Sequence, residues 1–171
     1  INNDGAQKVG YTAPSLDGQV SVLSEALAHA NISPNQVGYI ETHGAGTAIG
    51  DRIEIAAIAA AYGVSERNNP LAIGALKANI GHCEAAAGVA GLIRAICAVK
   101  EGRIPPIAGL SEVLPQLDSS QNFHFPTQAS GWPVLGERIA GVSAFGIGGT
   151  NAHIVIAAPP PALVEAKEIS A

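Results

Sequence analysis

The strongest constraint on this chain is the alternation, between its glycines and prolines, of two kinds of apolar segment. Some runs are short and continuous: Val37 to Glu41, Leu71 to Leu76, Ile139 to Ala144 and Ala152 to Ala157. That is the length and texture of buried strands. Other segments are longer and periodic. After Ser15, a suitable N-cap, Leu16, Val20, Leu23, Leu27 and Ala30 keep the three-and-four spacing of one helical face, with Asn31 to close it and Pro34 beyond. A second helix is expected from Asp51 to about Tyr62, stopped by Gly63. A third runs from Glu84 to Glu101, ended by Gly102 and Pro105-Pro106. Its opening, Ala85 to Gly91, carries small residues on several faces. Neighbouring backbones can come close there, so this helix is expected to be central and buried. Strands alternating with helices predict an α/β layered architecture, a mixed sheet with covering helices. The runs 139–144 and 152–157 should pair across a glycine-rich turn. Residues 105–138 read as loops with short strands, including the Phe123-His124-Phe125 alternation.

Composition narrows the functional classes. The 171 residues suit one domain, and only 13% are charged while 47% are apolar. An ordinary domain carries about a quarter charged residues, so much of this surface should be buried against itself or a partner. The bulk is not disordered. A net charge of −5 and a pI near 5.4 argue against nucleic acid or an anionic membrane as the main partner. The most apolar stretch, Gly88 to Val99, is interrupted by Arg94 and falls short of the ~20 residues that span a bilayer. The opening Ile1-Asn2-Asn3-Asp4-Gly5 carries neither Met nor a signal peptide, and the chain reads as a piece of something longer. Cys83 and Cys97 are the only cysteines. On one helix they would lie ~21 Å apart, beyond the ~7 Å reach of a disulfide. They read as small buried packing residues. A reducing cytoplasm is the expected compartment.

Three segments are too specialised for scaffold. In Tyr39 to Asp51 a histidine, His43, leaves a strand into the loop Gly44-Ala45-Gly46-Thr47. Loops after strands of α/β sheets bind ligands, and Thr47 can donate or accept a hydrogen bond. In Lys77 to Gly88 a lysine and a histidine, His82, flank a turn that opens a helix. The positive helix end favours a neutral imidazole, a donor without charge. In Gly141 to His153 the turn Gly146-Ile147-Gly148-Gly149 can aim backbone N–H groups at a developing oxyanion.

Duller readings compete. Glu54 follows Asp51 at capping-box spacing. His29 and His124 read as structural. His153 stands between structural anchoring and a role in the signature that holds it. Asn151 is expected to tie the glycine turn together through side-chain-to-backbone bonds. No His-Glu-x-x-His or Cys-x-x-Cys spacing is present, so no metal is expected.

Taken together and in this order, the three segments resemble the C-terminal half of a β-ketoacyl synthase. His43 to Thr47 matches its His-Gly-Thr-Gly-Thr loop, Lys77 to His82 its Lys-x-x-x-Gly-His motif, and Gly148 to His153 its Gly-Gly-Thr-Asn-Ala-His signature. The opening Asn2 to Gly5 and Gly10 to Pro14 resemble the modular type I polyketide branch. The resemblance covers residues 1–158 and leaves 159–171, opening Pro159-Pro160-Pro161, as a proline-rich linker or tail.

The resemblance implies the second half of a thiolase-like layered sandwich. It implies an acyltransferase that joins an acyl thioester to a carrier-bound malonyl-type extender by decarboxylative Claisen condensation. Substrate would arrive as a phosphopantetheine thioester, with no cofactor bound covalently. The implied partners are the N-terminal half with the active-site cysteine, an acyl carrier protein, and a second copy in a homodimer. This chain has no cysteine-serine turn, so it would be incomplete as an isolated enzyme. His43 and His82 would donate to the malonyl thioester carbonyl, and Lys77, paired with Glu54, would organise them. Ile147 would be the gate, its N–H half of the oxyanion hole, with Gly148 and Asn151 beside it. Thr47 would reach the phosphopantetheine arm. Ala45 replaces a threonine, and the lost hydrogen bond should weaken arm binding by roughly 0.5–1.5 kcal/mol. The alternative is a non-catalytic or non-elongating ketosynthase-like scaffold or carrier-docking module.

Overall fold

The computed structural model describes residues 1–5, 8, 10–63, 67–113, 122–134 and 136–159. In chain order the elements are β1 (Asn2–Asn3), α1 (Leu16–Ala30), β2 (Val37–Glu41), α2 (Ala48–Tyr62), β3 (Leu71–Gly74), α3 (Lys77–Ile80), α4 (Ala87–Glu101), β4 (Arg103–Ile104), β5 (Phe123–His124), β6 (Ser130–Gly131), β7 (Ile139–Phe145) and β8 (Thr150–Ala157). Six strands make one mixed sheet in the order β1-β8-β7-β2-β3-β5. The centre is parallel, β7 to β2 to β3 to β5, while β8 returns antiparallel on β7 and β1 antiparallel on β8. β4 and β6 form a small antiparallel pair. The linker assigned to 159–171 lies outside the described residues beyond Pro159.

Two cores cover the two faces of the sheet. On one, Leu23 and Leu27 of α1 and Ile55 and Ile58 of α2 meet Val37 and Ile40 of β2, Leu71 and Ile73 of β3 and Ile139 of β7. On the other, Ala95, Ala98 and Val99 of α4 meet Tyr39, Ala72, Ala140 and Val142. Val37 and Tyr39 would share a face under strict alternation. They part because the β2–β7 register slips between them, a bulge that re-aims the rest of β2. Each fully buried Leu or Ile stabilises the fold by about 1.5–3 kcal/mol.

The expected α1 forms as read: Ser15 Oγ accepts the Gly18 N–H at 3.1 Å, and Asn31 closes the helix in the left-handed conformation. Two helix starts differ from expectation. α2 begins at Ala48, not Asp51, because Thr47 is the N-cap and its Oγ1 accepts the Gly50 N–H at 3.1 Å. Glu54 is therefore a full turn too deep to close a capping box. α4 begins at Ala87, because Glu84–Ala86 form a 3-10 turn and no side chain caps the helix. Cys83 thus precedes the helix. α4 is not buried on all sides: Val89, Ile93 and Ile96 remain 54%, 58% and 49% exposed. Cys83 is half-buried and Cys97 exposed, so neither is a core residue; both thiols are free. Among the described residues no helix is long and apolar enough to cross a membrane.

Candidate active site

The three specialised segments converge at one end of the parallel strands. β2 ends at Glu41, and Thr42 continues it by donating from both N (3.0 Å) and Oγ1 (2.6 Å) to the Gly74 carbonyl. His43 then leaves the sheet. Its loop is held from below by α2. Glu54, 3% exposed, accepts the His43 N–H at 2.7 Å and the Gly44 N–H at 2.9 Å, and Asp51 Oδ1 accepts the Gly46 N–H at 3.1 Å. Burial pushes the Glu54 carboxyl up to about 7, against the pull of those two N–H donors.

Lys77 opens α3, and its Nζ donates to the His43 carbonyl and lies 3.5 Å from His43 Nδ1. The expected Lys77–Glu54 ion pair does not form. Among the described residues the one ion pair is Arg94–Glu41, at 3.4 Å. Glu54 is consumed by the loop backbone, and the two charges meet only through space.

Both site histidines have one nitrogen occupied in the same sense. His43 Nδ1 accepts the Phe145 N–H at 3.3 Å, and His82 Nδ1 accepts the Glu84 N–H at 2.9 Å. A neutral imidazole with Nδ1 accepting carries its proton on Nε2. Burial, then the Lys77 ammonium, then His82 hold His43 down to about 4, so it is neutral near pH 7. The rings stand edge to face with centroids 5.7 Å apart. The expected helix end does not touch His82 directly, because the 3-10 turn intervenes; the Glu84 N–H sets its tautomer instead.

The third segment is the β7–β8 hairpin. Its turn closes by Gly146 N–H to the Thr150 carbonyl (2.8 Å) and Gly149 N–H to the Gly146 carbonyl (2.9 Å), leaving Ile147 69% exposed at the tip. Phe145 lies over His43 at 5.8 Å. Between the three loops opens a cleft of about 730 Å³, walled by His43, His82, Ala45, Thr47 and Ile147. Glu54 and Asn151 border it, while Lys77 stands behind His43 and Gly148 turns away beside Tyr11.

The profile of the β-ketoacyl synthase C-terminal domain matches residues 1–111. The chain belongs to that family. This ketosynthase domain is similar to two polypeptides of the phenolphthiocerol/phthiocerol polyketide synthase of Mycobacterium tuberculosis. With one it is 48% identical over 158 residues, a match covering 91% of the chain and 10% of that protein. With the other it is 44% identical over 174 residues, covering 100% of the chain and 12% of that protein. Among solved structures it superposes on ketosynthase twelve of the bacillaene polyketide synthase from Bacillus amyloliquefaciens with a TM-score of 0.87 and 36% identity, covering 93% of this chain and 29% of that one. The ketosynthase of module 1 of the bacillaene synthase gives 0.86, 35%, 94% and 29%. The domain thus spans about a tenth of its curated relatives and under a third of the solved ketosynthases. Its mixed sheet with helices is the C-terminal half of their thiolase-like fold.

The remaining expected residues divide. Asn151 does not bond the turn of the ketosynthase domain's hairpin. Its buried amide donates to Asn2 Oδ1 (3.1 Å) and Asp4 Oδ1 (2.6 Å), while the Asp4 N–H donates to the Gly149 carbonyl (2.8 Å). It bolts the N-terminal strand beneath the turn. His153 is buried between Tyr62 Oη (2.7 Å) and Ser143 Oγ (3.0 Å), where burial holds it down to about 3. That is an anchoring role. His29 and His124 are exposed. Among the described residues no three His, Cys, Asp or Glu side chains gather to hold a metal. Sequence reasoning passed over Glu41, 1% exposed at the end of β2. Its signals were slight: an acid closing an apolar strand, and Arg94 breaking the most apolar helix.

Proposed function

We propose that this domain supplies the decarboxylating wall of a polyketide ketosynthase. One observation carries the reading: His43 and His82 face one cleft, each with Nδ1 already accepting and the Nε2–H free to donate. Two Nε2–H donors suit a carbonyl oxygen that is gaining negative charge. In this reading a malonyl thioester enters on the phosphopantetheine arm of a carrier protein, past Thr47, Ala45 and the Ile147 gate. The bond between the extender's carboxylate and its α-carbon breaks, CO2 leaves, and the electron pair becomes an enolate whose oxygen the two Nε2–H groups hold. The α-carbon then attacks the acyl thioester carbonyl on the active-site cysteine. A carbon–carbon bond forms, and the thiolate leaves.

That cysteine belongs to the N-terminal half in this reading. Neither Cys83 nor Cys97 is followed by serine, and neither walls the cleft. Lys77 holds the His43 carbonyl, and Glu54 holds the loop. Both position the histidines and touch no carbon. The ketosynthase fold ends near residue 158, and the complete enzyme works as a homodimer.

The test is carbon dioxide release from a malonyl-loaded carrier protein, with the domain assembled on its cysteine-bearing half. His43→Ala and His82→Ala should each slow release about 10²–10³-fold, the cost of removing one oxyanion donor. Release that survives both substitutions would remove the two-donor reading. An assembled wild-type enzyme that binds the carrier but releases nothing would favour a docking module.

A further inference from the structure

We infer that Glu41 is a positioning residue of this site, its buried carboxylate fixing the Lys77 turn against His43. The inference rests on the reading of the cleft just given. Three elements meet at Glu41. From the end of β2, its Oε1 accepts the N–H of Leu76, the residue immediately before Lys77, at 2.7 Å. Its Oε2 accepts the Tyr39 hydroxyl at 2.5 Å. The same oxygen lies 3.4 Å from Arg94 Nη1 of α4, which faces it as a charge while Nη2 donates to the Pro106 carbonyl at 2.6 Å.

Two glycines make room for this cluster. A Cβ at Gly74 would strike the Tyr39 hydroxyl and come within 2.8 Å of Glu41 Oε2, and one at Gly91 would lie 3.2 Å from Glu41 Cγ. β3 and α4 therefore each give up a side chain to seat one acid. Stability alone does not call for that. A buried ion pair is often matched or exceeded by apolar residues of the same volume. The geometry offers another use. Glu41 sits two residues before His43 and bonds the backbone one residue before Lys77, whose ammonium rests on the His43 carbonyl. It ties together the two loops that aim the donors.

Charge supports the same view. Tyr39 from its own strand, Lys77 from α3 and Arg94 from α4 are the titratable or charged groups that face Glu41. Burial pushes the Glu41 carboxyl up, while Arg94, its hydrogen bonds and Lys77 pull it down. Burial in turn lowers Lys77, and Glu54 and Glu41 head the acids that hold it up. Glu41 thus helps keep the ammonium charged behind His43.

The test uses the domain assembled on its cysteine-bearing half. Glu41→Gln keeps an acceptor for Leu76 and removes the charge. Its kcat for malonyl decarboxylation should fall about tenfold or more, with KM for the malonyl carrier within about twofold. The alkaline limb of the pH profile should move to lower pH, because Lys77 loses a neighbouring negative charge. An unchanged rate and pH profile in the folded variant, beside an active wild type, would overturn this inference and leave the reading of the cleft standing. Should Glu41→Gln fail to fold, Glu41→Gln with Arg94→Gln removes both charges and leaves neither unpaired. A slow rate and shifted limb in the pair would support the positioning role; a wild-type rate would overturn it. An inactive wild type would overturn both readings.

Discussion

His43 is held as a donor by its neighbours. Phe145 N–H and the Lys77 ammonium both point at Nδ1, and burial with a nearby positive charge penalises a second proton. NMR titration of its ring should give a midpoint of about 4; a midpoint near the ordinary 6.5 would contradict a neutral donor. Stability follows from the same groups. His43 and His153 are depressed to about 4 and about 3, so their contribution is complete above 6.5 and is lost as pH falls toward those values. Glu54, raised from 4.5 to about 7, acts oppositely: its contribution is complete below 4.5 and is lost as pH rises through about 7. Burial also raises the Glu41 and Asp51 carboxyls, which act in the same sense as Glu54. Removing one histidine isolates its own share: relative to the parent, His153→Gln should lose less stability to urea as pH falls from 6.5 to 4.5. An identical loss in both proteins would contradict a depressed His153.

At the level of elements, Thr47 serves α2 before it serves any ligand. Its Oγ1 takes the Gly50 N–H, so Thr47→Ala should cost about 1 kcal/mol of stability, and Thr47→Ser much less. Equal thermal denaturation of all three proteins would deny the cap. The same residue shows what could be read in advance. α1 and β2 were legible to the residue because Ser15, Asn31 and an unbroken apolar run mark them. The start of α2 was not, because Asp51 and Glu54 imitate a capping box while the true cap hides inside the glycine loop. The start of α4 was not, because Glu84 to Ala86 carry no capping side chain and form a 3-10 turn. Of the site, the three loops were legible from their glycines and histidines. The Lys77–Glu54 pairing failed because partner choice depends on the path of the loop between them: Glu54 meets backbone N–H groups first. Glu41 was invisible for a related reason. An acid at a strand end is ordinary until Tyr39, Leu76 and Arg94 are seen to close around it.

At the scale of the whole molecule, the low share of charged residues finds its counterpart in α4. Its inner face packs on the sheet through Ala95, Ala98 and Val99, while Val89, Ile93 and Ile96 stay open on the outer one. The cleft beside it is walled by loops and, among the described residues, is lined by His43 and His82 but by no cysteine. Both features fit the proposal that a second, cysteine-bearing half completes the enzyme. The most direct measurement is the intact mass of a malonyl-loaded carrier protein. It would be mixed with the ketosynthase assembled from this domain and that half, its cysteine already acylated. The account predicts a carrier that has lost CO2 and gained the acyl group, and neither change when His43 and His82 are both alanine. A carrier that keeps its malonyl group unchanged beside an acylated cysteine would contradict it.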